Sequence, residues 1–349
     1  PPSNYVGAKM LFRDDGNSNN LREIDDNEDL IPLRHKKDWK ILGLPNSLQR
    51  AIDCFIIAKT IRELRGQSSK HHSMMVNVSR FTDVQELLKA KVLEYLKARQ
   101  LAIKSYAGLS ETEALRESSA LRELKAVWDA EYLAAGFNWL DLQRRLNTAA
   151  SPIAVISVNN ISTDRLDYDS YPDGRSLIAI GGLGLSRGLT LEGLSVSYFL
   201  RNSIMYDTLL QMGRWFGYRE GYQDLCRIFM TEQAISWYAH ISGAVEELRE
   251  EFREMERLGL TPMDFGLKVR SHPTALIVTA KNKMRAAEES VREIALAGRF
   301  AETSRLINNA QTFADNKKVF EAAVVAADKV KPSTEIKLGL FWAGVPIDI

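Results

Sequence analysis

Only two cysteines, Cys54 and Cys226, occur in 349 residues. They lie far apart and in no CxxC or Cys/His spacing, which excludes a disulfide framework and a structural zinc site. No apolar run approaches the roughly 18 residues that span a bilayer, and no charged-then-apolar leader opens the chain, so it reads as cytoplasmic with no membrane partner. Charge of one sign is also missing: 46 Lys+Arg face 45 Asp+Glu, a net charge of +1. Any basic surface must therefore be local. No G-x-x-x-x-G-K-[ST] loop occurs anywhere, and no Asp-Glu box follows a strand. Without them nothing holds Mg-ATP or positions an attacking water, so this chain alone is expected to be silent towards ATP and to carry no cofactor.

What is present is an ordinary globular composition, 45% hydrophobic and 26% charged, with ample core. Residues 1–45 read as an irregular opening segment with a polar run at 14–20 and an acidic run at 25–29. With no Met at the start, they suggest a chain cut from something longer, although removal of an initiator Met before Pro1 would look the same. Regular structure begins after Pro45. Ser47 can cap a helix striped by Leu48, Ala51, Ile52, Phe55, Ile56 and Ile61. A strand at 74–79 follows, then Thr82 with Gln85 as a capping box for a further helix. Residues 109–148 are purely helical, opened by Ser110 with Glu113, and read as an insertion. Strands return at 153–158, 176–180, 194–200 and 225–230, with a helix over 203–215. Near-continuous apolar runs alternating with helices predict an α/β fold with a parallel sheet covered on both faces. Residues 231–349 read as a mostly helical C-terminal extension. In it Val245, Leu248, Phe252 and Met255 form a core stripe, Glu246/Arg249, Glu250/Arg253 and Glu254/Arg257 pair on the wet side, and Gly259 is the stop.

Two segments could carry chemistry. Residues 181–194, GGLGLSRGLTLEGL, follow a strand directly; glycines there let backbone N–H groups approach a phosphate, and Arg187 adds a fixed charge. The competing reading is tight sheet packing. The second, 211–219, is QMGRWFGYR at a helix end. Its Gln211, Arg214 and Arg219 suit anion recognition, or the arginines satisfy helix carbonyls while Trp215 and Phe216 are core. Metal-dependent nuclease chemistry needs clustered carboxylates. Only Glu335 and Lys337, with Asp328 or Asp315 upstream, hint at that, and they make no convincing site. His71 and His72 fall in a polar loop, and His35, His240 and His272 are isolated. A basic cluster of Lys281, Lys283 and Arg285 could contact a phosphate backbone, or form one exposed helix face.

A Gly-Arg turn after one strand, a further strand, a helix, then Q-x-G-R with a second Arg is the order of the fifth and sixth motifs in the second RecA-like domain of superfamily-two helicases. The turn at 76–82 falls where the fourth would. The runs MMVNVSRFTDVQ, IAIGGLGLSRGLTLEGLSVSYFLR, YDTLLQMGRWFGYR and DLCRIFMT resemble the Z-one (Z1) domain family, named as a proposed endonuclease domain. It is found in helicase-like proteins of bacterial restriction and phage-defence clusters, often beside MORC-like ATPases. The resemblance covers about 74–285. It implies a RecA-like domain of P-loop NTPase fold over 46–230 and a parent protein that uses ATP with Mg to move on or remodel DNA. Its partners would be DNA, an N-terminal RecA-like domain upstream, and a MORC-like ATPase, methyltransferase or nuclease subunit. Catalytic roles at the ATP γ-phosphate would fall to Gln211, Arg214 and Arg219, nucleotide binding to Gly188, Thr190 and Gly213, and DNA contact to Ser79, Arg80, Arg187, Lys281 and Lys283. Thr190 stands where many helicases have an Asp that contacts ribose. Arg219 follows Arg214 by five residues, where helicases use three, so Arg214 ranks first. A metal-dependent DNA endonuclease is the alternative function, and a non-catalytic module docking a partner through 109–148 is another.

Overall fold

A computed structural model describes residues 4–12, 20–159, 164–186, 189–200, 206–259, 261, 310–330, 333–336 and 339–342. Residues 1–287 form one compact unit and 288–349 another. In the first unit the elements run β1 (Tyr5–Val6), α1 (Ala8–Phe12), β2 (Leu21–Glu23), α2 (Asn46–Leu64), β3 (His72–Asn77), α3 (Thr82–Tyr106), α4 (Glu111–Glu117), α5 (Ser119–Glu131), α6 (Trp139–Ala150), β4 (Ala154–Val158), β5 (Ser176–Gly181), β6 (Leu194–Phe199), α7 (Tyr206–Met212), β7 (Gly217–Tyr218), β8 (Arg227–Met230) and α8 (Glu232–Arg257). In the second, α9 (Ala310–Val330) precedes a hairpin of β9 (Thr334–Ile336) and β10 (Gly339–Phe341). Among the described residues no helix is long and apolar enough to cross a membrane.

Six strands make one parallel sheet in the order β2-β8-β6-β3-β5-β4. Its strands are apolar on successive residues because both faces are covered. Met74, Val76, Ile178, Ile180, Val196, Tyr198 and Phe229 pack with α2, α3, α5 and α6. Their neighbours Met75, Leu177, Ala179, Phe199, Ile228 and Met230 pack with α1, α7 and α8 on the other side. The mixed α/β architecture and the parallel sheet are those read from the sequence.

Several local expectations change. The opening segment is not wholly irregular, since β2 pairs with β8 at the sheet edge. Ser47 does not cap α2; it lies in the first turn, its N–H donating to Asp26 Oδ2 (2.8 Å) and its hydroxyl to Asp26 Oδ1 (2.5 Å). The Thr82/Gln85 capping box does not form. The N-terminus of α3 has no side-chain cap, and Gln85 Nε2 instead donates to the Ser79 carbonyl at 2.9 Å. The Ser110/Glu113 box is present. Helix α2 is buried around its whole circumference, every side chain of residues 54–62 included, with Lys59 paired to Glu63 and Arg62 bonded to Gln67 and His72 among its apolar residues. Helices α5 and α6 of the expected insertion form that cover, with Leu121, Leu124, Trp128, Leu142 and Leu146 in the same core as Phe55 and Ile61. They belong to the domain rather than decorating it.

Helix α8, placed by the sequence in a C-terminal extension, buries Trp237, Tyr238 and Ile241 against the sheet. Of its later stripe Val245 packs against the core but Phe252 is 42% exposed, while the pairs Glu246–Arg249 and Glu254–Arg257 form and Gly259 ends the helix at φ +65°. The extension also contains the β9–β10 hairpin. His72 is not in a loop but opens β3, fully buried, stacked on Phe55 at 4.4 Å and bonded to Arg62 Nη1 at 2.9 Å.

Candidate functional site

The helix after β3, α3, lies on one face of the sheet, and that after β6, α7, lies on the other. Strands β3 and β6 are neighbours, so the chain reverses its winding between them. In open parallel sheets a crevice opens at such a point, at the carboxyl ends of the strands. Beside it lie the turn 77–81 after β3, the end of β6, and the start of α2 at Tyr198, while the turn 181–186 after β5 lies towards β4.

Ser79 is 1% exposed and its Oγ is fully used. It accepts from Phe81 N at 3.0 Å and contacts His35 Nε2 at 2.7 Å, while His35 Nδ1 sits 2.7 Å from the Pro32 carbonyl. With Nδ1–H donating to that carbonyl, Nε2 accepts the serine proton. His35, isolated in the sequence, thus fastens residues 24–45 to the end of β3. Arg80 is exposed with its guanidinium 4.7 Å over the Phe81 ring. At the last residue of β3, the buried Asn77 Oδ1 has no hydrogen-bond partner among the described residues.

In the glycine-rich turn the bland role is visible. A Cβ on Gly181 would lie 2.7 Å from the Val158 carbonyl oxygen, and one on Gly184 3.1 Å from it. These glycines let the turn pack on the end of β4. Thr190 is exposed. Arg187, Gly188, Lys281 and Lys283 lie outside the described residues, as does Arg285.

The segment after α7 separates its two arginines. Arg214 donates its Nε to the Leu185 carbonyl at 3.0 Å, tying this segment to the glycine turn. Its terminal nitrogens have no hydrogen-bond partner among the described residues. Arg219, 8% exposed, points inward. It donates to the carbonyls of Tyr218 (2.8 Å), Trp215 (3.2 Å) and Arg214 (3.3 Å), so its fork holds the loop that carries Arg214. Gly213 lies under Phe216, whose ring a Cβ would approach to 2.5 Å. Gln211 is exposed at the end of α7. The structure therefore brings Arg214 to the turn after β5 and gives Gly213 and Arg219 packing roles.

Burial pushes the Cys54 thiol up to about 12 and that of Cys226 to about 11, so neither offers a thiolate. Among the described residues no three His, Cys, Asp or Glu side chains could hold a metal ion. Asp328 is occupied by Trp342 Nε1 at 2.6 Å, and Asp315 by Gln311 and Lys318. Sequence reasoning missed the basic run Arg34, Lys36, Lys37 and Lys40, which flanks the Ser79 partner His35 and is legible as a cluster in the sequence.

No curated protein and no solved structure matches the chain. The model of the Z1 domain family matches residues 47–276, a span that runs from the first turn of α2 past the end of α8. It takes in the turns after β3 and β5 and the segment bearing Arg214 and Arg219. With about two thirds of its length matched, the chain belongs to the Z1 domain family.

Proposed function

We propose that the sheet and its crevice are the second RecA-like half of a DNA helicase or translocase-like protein of a restriction or phage-defence system. The observation that carries this is Arg214: its Nε is anchored on the turn after β5 and its terminal nitrogens have no hydrogen-bond partner among the described residues, at the carboxyl end of a doubly wound sheet. A guanidinium so placed suits the charge that develops on a transferring phosphoryl group. ATP with Mg would be held mainly by an upstream RecA-like domain, because this chain has no Walker loop. In this reading its own part is to supply the arginine, with Gln211 and Thr190 as further exposed candidates for the nucleotide and Arg80 for DNA. A metal-dependent endonuclease has no carboxylate cluster to use among the described residues.

The test is ATP turnover, with and without DNA, by this chain and by one extended upstream to include a Walker loop. Turnover should be confined to the longer chain. There Arg214→Ala should lower it by about 10³-fold, in the range of arginine fingers, while nucleotide binding stays nearly intact. Unchanged turnover in that variant overturns the assignment.

A further inference from the structure

Residues 24–45 form a strap across the carboxyl ends of the strands. It leaves β2 with Ile24 N bonded to the Met230 carbonyl at 3.0 Å, passes the start of α2 at Asp26, reaches the end of β3 through His35, and returns to α2. Its underside is core: Ile31 is 0% and Ile41 5% exposed. Its shape is fixed by Asn27 Nδ2 on the Ile31 carbonyl at 3.1 Å and Trp39 Nε1 on the Leu30 carbonyl at 2.9 Å. A segment held this firmly presents its outward side chains from a rigid base.

Those side chains are Arg34, Lys36, Lys37 and Lys40, all exposed, against Asp38. Lys37 is 3.4 Å from Asp83 in a pair open to water, which is worth little. Arg34, Lys36 and Lys40 make no ion pair among the described residues. Beside them Arg80 lies over Phe81, and the His35 ring meets the same Phe81 edge-on at 6.0 Å. Cations in a row next to an arginine–aromatic stack are the two elements of single-strand recognition: charge that tracks phosphates, and flat groups on which bases stack. Asp25, Glu28 and Asp29 occupy the earlier part of the strap, towards β8. They confine the positive surface to a narrow track, which fits one strand better than the broad face of a duplex.

We infer that the strap, through Lys36, Lys37 and Lys40 together with Arg80, is a binding track for single-stranded nucleic acid. This deepens the proposed function and rests on its nucleic-acid half. The partner is a sugar-phosphate strand whose phosphates lie on the lysines and one of whose bases stacks at Arg80 and Phe81.

The experiment is fluorescence anisotropy of the full 349-residue chain with labelled oligothymidylate over a salt series, without ATP. A duplex of equal length, an abasic strand and polyglutamate are the comparison ligands. Each phosphate contact contributes about 0.7 to the slope of log affinity against log salt for single strands. Lys36→Gln/Lys37→Gln/Lys40→Gln should therefore lower the slope by about 2, and Arg80→Ala should weaken oligothymidylate more than the abasic strand. Lys97→Gln/Lys104→Gln, on the far part of α3, should leave both unchanged. Unaltered thermal midpoints show that the variants fold, because all these side chains are exposed. An unchanged slope in the triple variant, tighter binding of the duplex, or equal binding of polyglutamate overturns the inference. Because no step uses ATP, failure here leaves the Arg214 test standing, and failure of that test leaves the track standing.

Discussion

At the scale of single residues, the same side chain type does opposite jobs a few positions apart. Arg219 spends its fork on three backbone carbonyls and is buried; Arg214 spends only Nε. Removing Arg219 leaves buried carbonyls unsatisfied, at about 1–3 kcal/mol. Arg219→Ala should therefore lower the stability measured by denaturant unfolding by about 2 kcal/mol, whereas Arg214→Ala should change it by less than about 1 kcal/mol. If both variants unfold alike, the two arginines share one structural role.

Glu131 is the other decisive residue. Its fully buried carboxylate receives Arg227 Nε at 2.8 Å, Arg50 Nη2 at 2.5 Å and the bidentate Arg22, joining β8, α2 and β2. Burial alone would raise its pKa, but the hydrogen bonds from Arg22 and Arg227, with Arg50, hold it at about 2. The folded value is below the ordinary 4.5, so this stabilisation is present above pH 4.5 and lost as pH falls towards 2. Glu131→Gln should flatten the acid limb of the stability curve in that window. It should also cost about 3 kcal/mol at neutral pH, the lower end for a broken buried pair because Arg50 and Arg22 stay partly in water. Asp53 has the opposite sign. Burial pushes it up to about 6 against the pull of Arg99, so its favourable contribution exists below pH 3.8 and is lost as pH rises through 6. Asp53→Asn should remove that decline, read from unfolding curves at pH 4 and pH 7.

At the scale of elements, α2 explains the helical block after α3. A helix with nothing but buried side chains over 51–62 needs cover opposite the sheet, and α5 and α6 supply it. Leu124, fully buried in this layer, should cost about 2–5 kcal/mol when changed to Ala. Deleting residues 119–131 should abolish the cooperative thermal transition, because it exposes α2 and removes Glu131 together. A deletion mutant that melts like the intact chain would make the block a true insertion. The sequence showed the helices by their stripes and the capping box at Ser110, but not their partner. Periodicity says that a face is apolar without saying which apolar face it meets.

At the scale of the whole molecule, the first unit is closed by its opening segment. The strand β2, the Asp26 cap on α2, the His35–Ser79 bond and Arg22 on Glu131 all come from residues before 46. A chain beginning at Asn46 should lose cooperative unfolding even though it keeps the whole of the family match. Circular dichroism on that chain decides this, and a native-like transition would show that the strap is dispensable for folding.

The sequence by itself determined the parallel sheet, through apolar runs interrupted by helical stripes. It also determined the family, through the turns after β3 and β5 and the segment at 211–219. These are local patterns, carried by residues adjacent in the chain. Only the tertiary structure decided that Arg219 turns inward while Arg214 stays at the rim, that Asp26 and not Ser47 caps α2, and that the basic run at 34–40 is brought by His35 to Ser79 and Phe81. The Arg214–Leu185, Asp26–Ser47 and His35–Ser79 contacts join residues about twenty or more positions apart, and which distant groups meet is set by the packing of helices on a sheet. No spacing along the chain encodes that.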